Sequence, residues 1–317
     1  MKKAFLYQTL ENERVQCQLC HRRCVIDPEE RGFCRTRLNL EGDLYTLTYG
    51  VISYINPTAI EDKPFVNFFP GTKCLSIGSF GCNFRCLGCQ NDNISWGTEE
   101  LDKLANWAIS LQPQERNQVN YNGLGLKIMS PENVIQEALD NGCAGIAFTY
   151  NEPIIWLEYV LDTAKLAKEK GLYTVYVTNS YLTPEHLEVI GPYIDAMALD
   201  IKSLDDRYYS VYCNVEQAVK HVLATCDEAA NRHHIYVETR TCVIPGANDD
   251  PQMLYQIADW IHQHLGEESV WHLLQFQPRH LLSHLPATPP QVLREGQEMG
   301  WRAGIKNVSV VLNKGCD

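Results

Sequence analysis

The sequence predicts an α/β protein built on a parallel sheet, with a small cysteine-rich segment ahead of it. Three observations carry this. From residue 73 onward, short β-branched and apolar runs alternate with longer runs of helical periodicity, the pattern of strands joined by crossover helices. Six or seven such βα units follow one another, fewer than the eight of a closed barrel. The first 40 residues hold four closely spaced cysteines.

The 317 residues are 45% hydrophobic and 21% charged, enough apolar material for a sizeable core. A balance of 27 basic and 39 acidic residues gives a net charge of −12. That argues against a nucleic-acid substrate, whose phosphates need Lys and Arg. The thirteen cysteines are not spaced as a secreted disulfide framework. The opening Met-Lys-Lys-Ala-Phe-Leu-Tyr is too short in apolar residues for a signal peptide, and no run is long enough to span a membrane. A reducing, cytoplasmic setting is expected.

In chain order, residues 43–56 alternate as a β-hairpin centred on Gly50. Pro57, Pro64 and Pro70 interrupt regular structure before a first buried strand at 73–78. Residues 101–111 fit a helix, and the polar stretch 112–125 reads as a surface insertion. Ser130-Pro131 caps and opens a helix with Val134, Ile135, Ala138 and Leu139 on its apolar stripe, ended by Gly142. Then come a strand at 144–149, a helix at 153–170 stopped by Gly171, and a strand at 172–178. Thr183-Pro184 opens a short helix, followed by a strand at 195–201, a helix at 216–231 and a strand at 234–244. Asp250-Pro251 opens a helix with Leu254, Ile257, Ala258 and Ile261 inward. A strand at 270–276, a helix at 290–303 and a strand at 307–312 complete the chain. The division expected is a Cys-rich segment with its hairpin at 1–70, and an α/β body at 71–317.

The chemistry concentrates at Gly81–Asn91, where Cys82, Cys86 and Cys89 are spaced C-x3-C-x2-C. Structural zinc and an ordinary [4Fe-4S] cluster each take four protein ligands. Three thiols would leave one position of a cluster open for a small molecule. The head carries a second group, Cys17, Cys20, Cys24 and Cys34, spaced C-x2-C-x3-C-x9-C. Four thiols close a tetrahedral site for zinc or hold a second iron–sulfur cluster. His21 is an alternative ligand, and Gly32 lets the chain turn to bring in Cys34.

The C-x3-C-x2-C run, with Phe84 inside it and Gln90-Asn91 after it, resembles the signature of radical S-adenosylmethionine (SAM) enzymes. The resemblance extends to the Cys17-x2-Cys20-His-Arg-Arg-Cys24 head with Arg31-Gly-Phe-Cys34, to Thr149–Pro153, Val177-Thr178-Asn179, Asp200-Ile-Lys202 and Ile244-Pro-Gly246. It is nearest to the radical SAM component of the AmmeMemoRadiSam system, a relative of pyruvate formate-lyase activating enzymes. It implies a partial (β/α)6 barrel, a [4Fe-4S] cluster on Cys82, Cys86 and Cys89, and SAM on the fourth iron. Reductive cleavage of SAM would then give a 5′-deoxyadenosyl radical for hydrogen abstraction. A reducing donor such as flavodoxin or ferredoxin is implied, with a protein, peptide or small-molecule substrate.

Polar residues where strands end are the expected SAM contacts. Tyr150-Asn151-Glu152 resembles the activases' Gly-Gly-Glu, making Glu152 an acceptor for the SAM amino group; a helix N-terminal charge is the alternative. Thr178 and Asn179 close the next strand. Asp200 and Lys202 match an activase Asp-Leu-Lys that lines the pocket, with a structural salt bridge as the other reading. Ile244 and Pro245 offer an apolar wall, while Asn248 and Asp249 read as caps. His272 resembles a pocket histidine, against a satisfied core group. Cys74, Cys143, Cys213, Cys226, Cys242 and Cys316 read as small core residues, with Cys316 the exposed one. Three features depart from the family pattern: Ser180 where glycine is usual, Gln275-Phe276 where an arginine precedes the phenylalanine, and the C-terminal ending. The alternatives carried forward are a glycyl-radical-enzyme activase and a non-catalytic zinc-binding interaction protein.

Overall fold

The computed structural model describes residues 1–96 and 127–312. The helix read at 101–111, the insertion at 112–125 and Cys316 lie outside the described residues. The chain divides into two compact units. One comprises residues 1–83, 91–178 and 182–195; the other comprises 84–90, 179–181 and residues from 196 onward.

The first unit carries a sheet in the order β1 (Tyr54–Ala59), β2 (Lys73–Gly78), β3 (Gly145–Phe148) and β4 (Tyr173–Thr178). The last three are parallel and β1 is antiparallel. Pro57, read as a breaker, lies inside β1. An outermost strand tolerates it because its missing N–H need not serve the ladder. Gly145 is required at its place, since a Cβ there would lie 2.0 Å from the Tyr173 ring. The helices α1 (Pro131–Asp140), α2 (Leu157–Glu169) and α3 (Pro184–Ile190) fall where the caps placed them. Ser130 and Thr183 each accept from the backbone amide three residues on, Asn133 N and His186 N, and each is followed by proline in the first turn. The long helix read from 153 begins as a 3-10 turn, Pro153–Trp156, before α2.

The hairpin read at 43–56 is corrected. Asp43–Thr46 folds back on Arg37–Leu40, while Val51–Ile52 pairs with Lys127–Ile128. The cause is the two-residue turn Glu41-Gly42, both at positive φ (52° and 82°), which matches strand twist. The Asn39 side chain accepts from the Gly42 amide at 3.0 Å and fixes that turn. A second small sheet, Tyr7–Thr9, Val15–Cys17 and Val25–Ile26, completes the head.

Arg37 joins the head to α2. Its guanidinium donates two bonds to Glu158, 2.8 and 2.7 Å, and one to the Ile155 carbonyl, 2.8 Å. Both side chains are 1% exposed. A bidentate pair with a further acceptor is the geometry in which two buried charges can offset their desolvation.

The second unit has four parallel strands in order, β5 (Ala196–Asp200), β6 (Tyr236–Val243), β7 (Val270–Gln275) and β8 (Asn307–Val311). The helix read at 216–231 is shorter, α5 (Val219–Asp227), and runs into a π turn at Glu228–Arg232. A helix missed in the sequence, α4 (Asp206–Cys213), precedes it; Asp205 caps it by accepting from Arg207 N. The helices α6 (Pro251–Leu265) and α7 (Pro290–Arg302) follow the expected pattern. Gly296 and Gly300 let α7 lie close to Leu254, Leu273 and Val308.

Two predictions follow from the first unit. Arg37→Met should lower stability by about 3–5 kcal/mol by stranding Glu158, and Arg37→Met with Glu158→Leu should recover most of it in urea melts. His186 is fully buried beside the Tyr176 hydroxyl at 3.1 Å. Burial, helped by the Arg37 charge, pushes it down to about 3. The folded state then stays neutral while the unfolded chain takes up a proton below about 6.5. Stability should fall by up to about 1.4 kcal/mol per pH unit from this group between about pH 6.5 and 3. His186→Gln should flatten that part of the pH–stability curve.

Candidate active site

The cysteine loop leaves the end of β2 and returns ten residues later, and both ends are fastened to Tyr150-Asn151. The Asn151 carbonyl oxygen accepts from Ser79 N at 2.9 Å, and its amide donates to Gly81 O at 3.0 Å. At the far end, the Asn91 amide donates to Tyr150 O at 2.7 Å. Tyr150 adopts φ 70°, a left-handed conformation costly for a bulky side chain. It turns the chain so that Asn151 faces the loop and not the strand. Gly81 is also left-handed, φ 83°, and a Cβ there would meet Cys34 O at 2.6 Å. Only glycine serves this position. Beyond it, Cys82 is half-buried, its sulfur 3.8 Å from Asn83 Oδ1.

Glu152 and Thr178 come together. The carboxylate is 3% exposed; its Oε1 accepts from Thr178 Oγ1 at 2.6 Å and from Ile154 N at 3.1 Å. Glu152 is therefore the N-cap of the 3-10 turn, as the alternative reading had it, while the carboxylate stays at the end of its strand.

Residues 84–90 belong to the second unit and are held there by backbone bonds. Arg85 N donates to Cys213 O and Leu87 N to Tyr212 O, both 2.9 Å; Leu87 O accepts from Leu281 N at 3.0 Å. The end of α4, unread in the sequence, thus holds the loop that carries Cys86 and Cys89, both half-buried. Phe84 is buried against Tyr181 and Tyr209. Gly88 lies flat on the Phe276 ring, where a Cβ would come within 2.9 Å.

Asp200 and Lys202 form an ion pair at 2.7 Å, and Arg240 adds a second cation to Asp200 at 2.5 Å. Burial works against both ions of the first pair. The two cations nevertheless hold Asp200 below its ordinary value, and Asp200 holds Lys202 well above its own. Lys202 also feels the Cys86 and Cys213 sulfurs. The sequence reading missed Arg240; its place on a strand two residues before Cys242 was the available signal. Asn179 shapes its own turn, accepting from Tyr181 N at 3.2 Å. Ser180 sits at φ 64°, so it occupies the left-handed conformation that glycine would take more easily. Asn248 and Asp249, read as caps of the next helix, are not: Asp250 caps it, while Asn248 accepts from Ile244 N and donates to Lys202 O. His272 is fully buried, its Nε2 2.6 Å from Glu238 Oε2. Among the described residues its Nδ1 is buried without a hydrogen-bond partner, and Glu238, the partner of Nε2, went unread.

In the head, Cys17, Cys20, Cys24 and Cys34 line one cavity with Arg22, Phe33, Arg37 and Asn83. Burial pushes the Cys17 thiol up to about 12 and Cys20 also upward, so these sulfurs stay protonated unless a metal displaces the proton. Among the described residues no three Cys, His, Asp or Glu side chains converge on a single metal-ion position. Cys82, Cys86 and Cys89 are three half-buried thiols, the donor chemistry that a [4Fe-4S] cluster takes.

The comparisons with known proteins agree with this chemistry. The family model of the Radical SAM superfamily matches residues 76–258. The uncharacterized protein MJ0808 of Methanocaldococcus jannaschii is 34% identical over 310 residues, 98% of this chain and 85% of that protein. The (2S)-3-sulfopropanediol dehydratase activating enzyme of Klebsiella oxytoca is 25% identical over 148 residues, 44% of this chain and 45% of that enzyme. A radical SAM methyltransferase from Sphaerobacter thermophilus shares the fold, with a TM-score of 0.56 at 13% identity over 78% of this chain and 68% of that one. No helix among the described residues is long and apolar enough to cross a membrane.

Asn151→Ala removes both bonds at the loop entry and should cost about 1–3 kcal/mol. Reconstituted iron should then be lost to a chelator several-fold faster, followed as the decay of visible absorbance. Asn151→Asp, which keeps the acceptor for Ser79 N, should fall between Ala and wild type.

Proposed function

The chain belongs to the radical SAM superfamily, and from that membership we propose that it is an activase-like hydrogen-abstracting enzyme of the AmmeMemoRadiSam branch. It is an enzyme of SAM-dependent radical generation, and its α/β fold fits the partial barrel read from the sequence. That sets aside the non-catalytic zinc-binding alternative.

Cys82, Cys86 and Cys89 are the proposed ligands of the [4Fe-4S] cluster. When bound and reduced, the cluster supplies the electron that cleaves SAM and releases the hydrogen-abstracting radical. The chain's own residues do the rest. Glu152 meets the amino group of SAM, with Thr178 and Asn179 beside it. Asp200, Lys202 and Arg240 set a fixed pattern of one anion between two cations. His272 is assigned support of the strand through Glu238 in place of direct contact. Phe84 and Tyr150 exclude water. Residues 1–70 form the metal-binding head, holding zinc or a second cluster on Cys17, Cys20, Cys24 and Cys34, and residues 71–317 form the catalytic body. The setting is cytoplasmic, with a flavodoxin or ferredoxin as electron donor.

The observation that carries this reading is the pinned loop, with three half-buried thiols between two amide clamps. The substrate is a protein, peptide or small molecule. A second reading, activation of a glycyl-radical enzyme, is favoured by the similarity to the putative glycyl-radical enzyme activating enzyme MJ1227 of Methanocaldococcus jannaschii, 25% identical over 138 residues. Transfer of deuterium from a labelled backbone glycine into 5′-deoxyadenosine would establish it.

Chromatographic assay of 5′-deoxyadenosine under dithionite tests the reaction. Wild-type protein should form it and Cys86→Ala should not. Glu152→Gln keeps the cap and the bond to Thr178 while removing the charge. It should leave the melting temperature within a degree or two and weaken SAM binding about tenfold, about 1.4 kcal/mol. Unchanged SAM affinity would return Glu152 to a purely capping role.

A further inference from the structure

We propose that the four-thiolate head is a metal-loaded clamp on the first turn of the radical SAM cysteine loop. This rests on the reading of the head as a metal centre, and adds what that centre does.

Four contacts within the first unit lead from the head thiols to the segments that carry the reaction. Arg22, two residues after Cys20, stacks its guanidinium on Phe33 at 3.4 Å from the ring centre. Its Nε donates to the carbonyl of Asn83, whose side chain faces the Cys82 sulfur. Cys34 presents its carbonyl to Gly81, leaving no room for a Cβ. Cys20 bridges to Leu182, and the Thr183 hydroxyl donates to Gln18 O at 2.6 Å. Arg37, in the same cavity wall as all four thiols, is bonded to Ile155 and Glu158 behind Glu152.

Cys17–Cys24 closes on itself through Cys17 N to Cys24 O and Arg23 N to Cys20 O, and Gly32–Cys34 is tied to the chain by Gly32 N to Arg37 O. A metal that draws four thiolates inward fixes both together. Arg22 and the Cys34 carbonyl are thereby set relative to Gly81–Asn83. Arg22 and Arg37 also supply positive charge beside a thiolate-rich centre. Zinc and an iron–sulfur cluster share this ligand chemistry, and either would hold the clamp closed. Arg22 is a positioning residue in this scheme, acting on Cys82 through Asn83.

The test uses the full chain, reconstituted anaerobically with iron, sulfide and zinc. A Cys82→Ala, Cys86→Ala, Cys89→Ala variant counts the head metal by itself: about one zinc, or a second complement of iron, per chain. Arg22→Ala leaves the four head thiols in place. It should retain that metal, yet release loop-cluster iron to a chelator several-fold faster and shift the EPR signal of the reduced loop cluster. Cys20→Ala with Cys24→Ala should lose the head metal and show the same loop behaviour. No head metal in the triple variant would overturn the metal reading itself. Head metal present, with the loop cluster's signal and iron release unchanged in both Arg22→Ala and the double variant, would overturn the clamp and leave the metal reading standing.

Discussion

A single side-chain amide, that of Asn151, decides where the cysteine loop begins. It accepts from one backbone group of the loop's approach and donates to another, so Ser79 and Gly81 are set by one planar unit. The opposite end is set by the reciprocal bond from Asn91 to Tyr150. The two ends of the loop take their positions from hydrogen bonds to residues just beyond a fully buried parallel strand, β3. The left-handed conformation of Tyr150 is the local cost, tolerated because the bonds on either side of it over-determine the backbone.

The buried charges within each unit have different characters. In the first unit the Arg37–Glu158 pair is withdrawn from water, and the buried Glu152 carboxylate accepts from Thr178 Oγ1 and Ile154 N. In the second unit Asp200 is outnumbered by Lys202 and Arg240, and the three are partly exposed. The sequence departure at Gln275 removes one arginine from the expected pattern, and Arg240 places another on the neighbouring strand of the same sheet.

Much of this was legible in the chain because the signals are local. Ser130-Pro131, Thr183-Pro184 and Asp250-Pro251 announce helix starts through capping chemistry that needs no tertiary partner. The strands from 73 onward are buried runs bounded by turn residues. The cysteine spacings are one-dimensional facts. What failed depended on pairing across distance. The 43–56 hairpin misled because alternation identifies a strand but not its partner, and the Glu41-Gly42 turn decided it. The helix Asp206–Cys213 was hidden by three tyrosines that read as weak helix formers. Arg37, Glu158 and Glu238 went unread for a common reason: a buried polar residue looks like a surface residue until its partner is known.

The central claim is that the pinned loop holds a cluster with one iron open to SAM. The most direct test is the EPR spectrum of the dithionite-reduced protein, recorded with and without SAM. A reduced-cluster signal from Cys82, Cys86 and Cys89 that changes its g-values when SAM is added, and is absent from Cys86→Ala, is the predicted result. A fully reconstituted protein whose signal is indifferent to SAM would contradict the account.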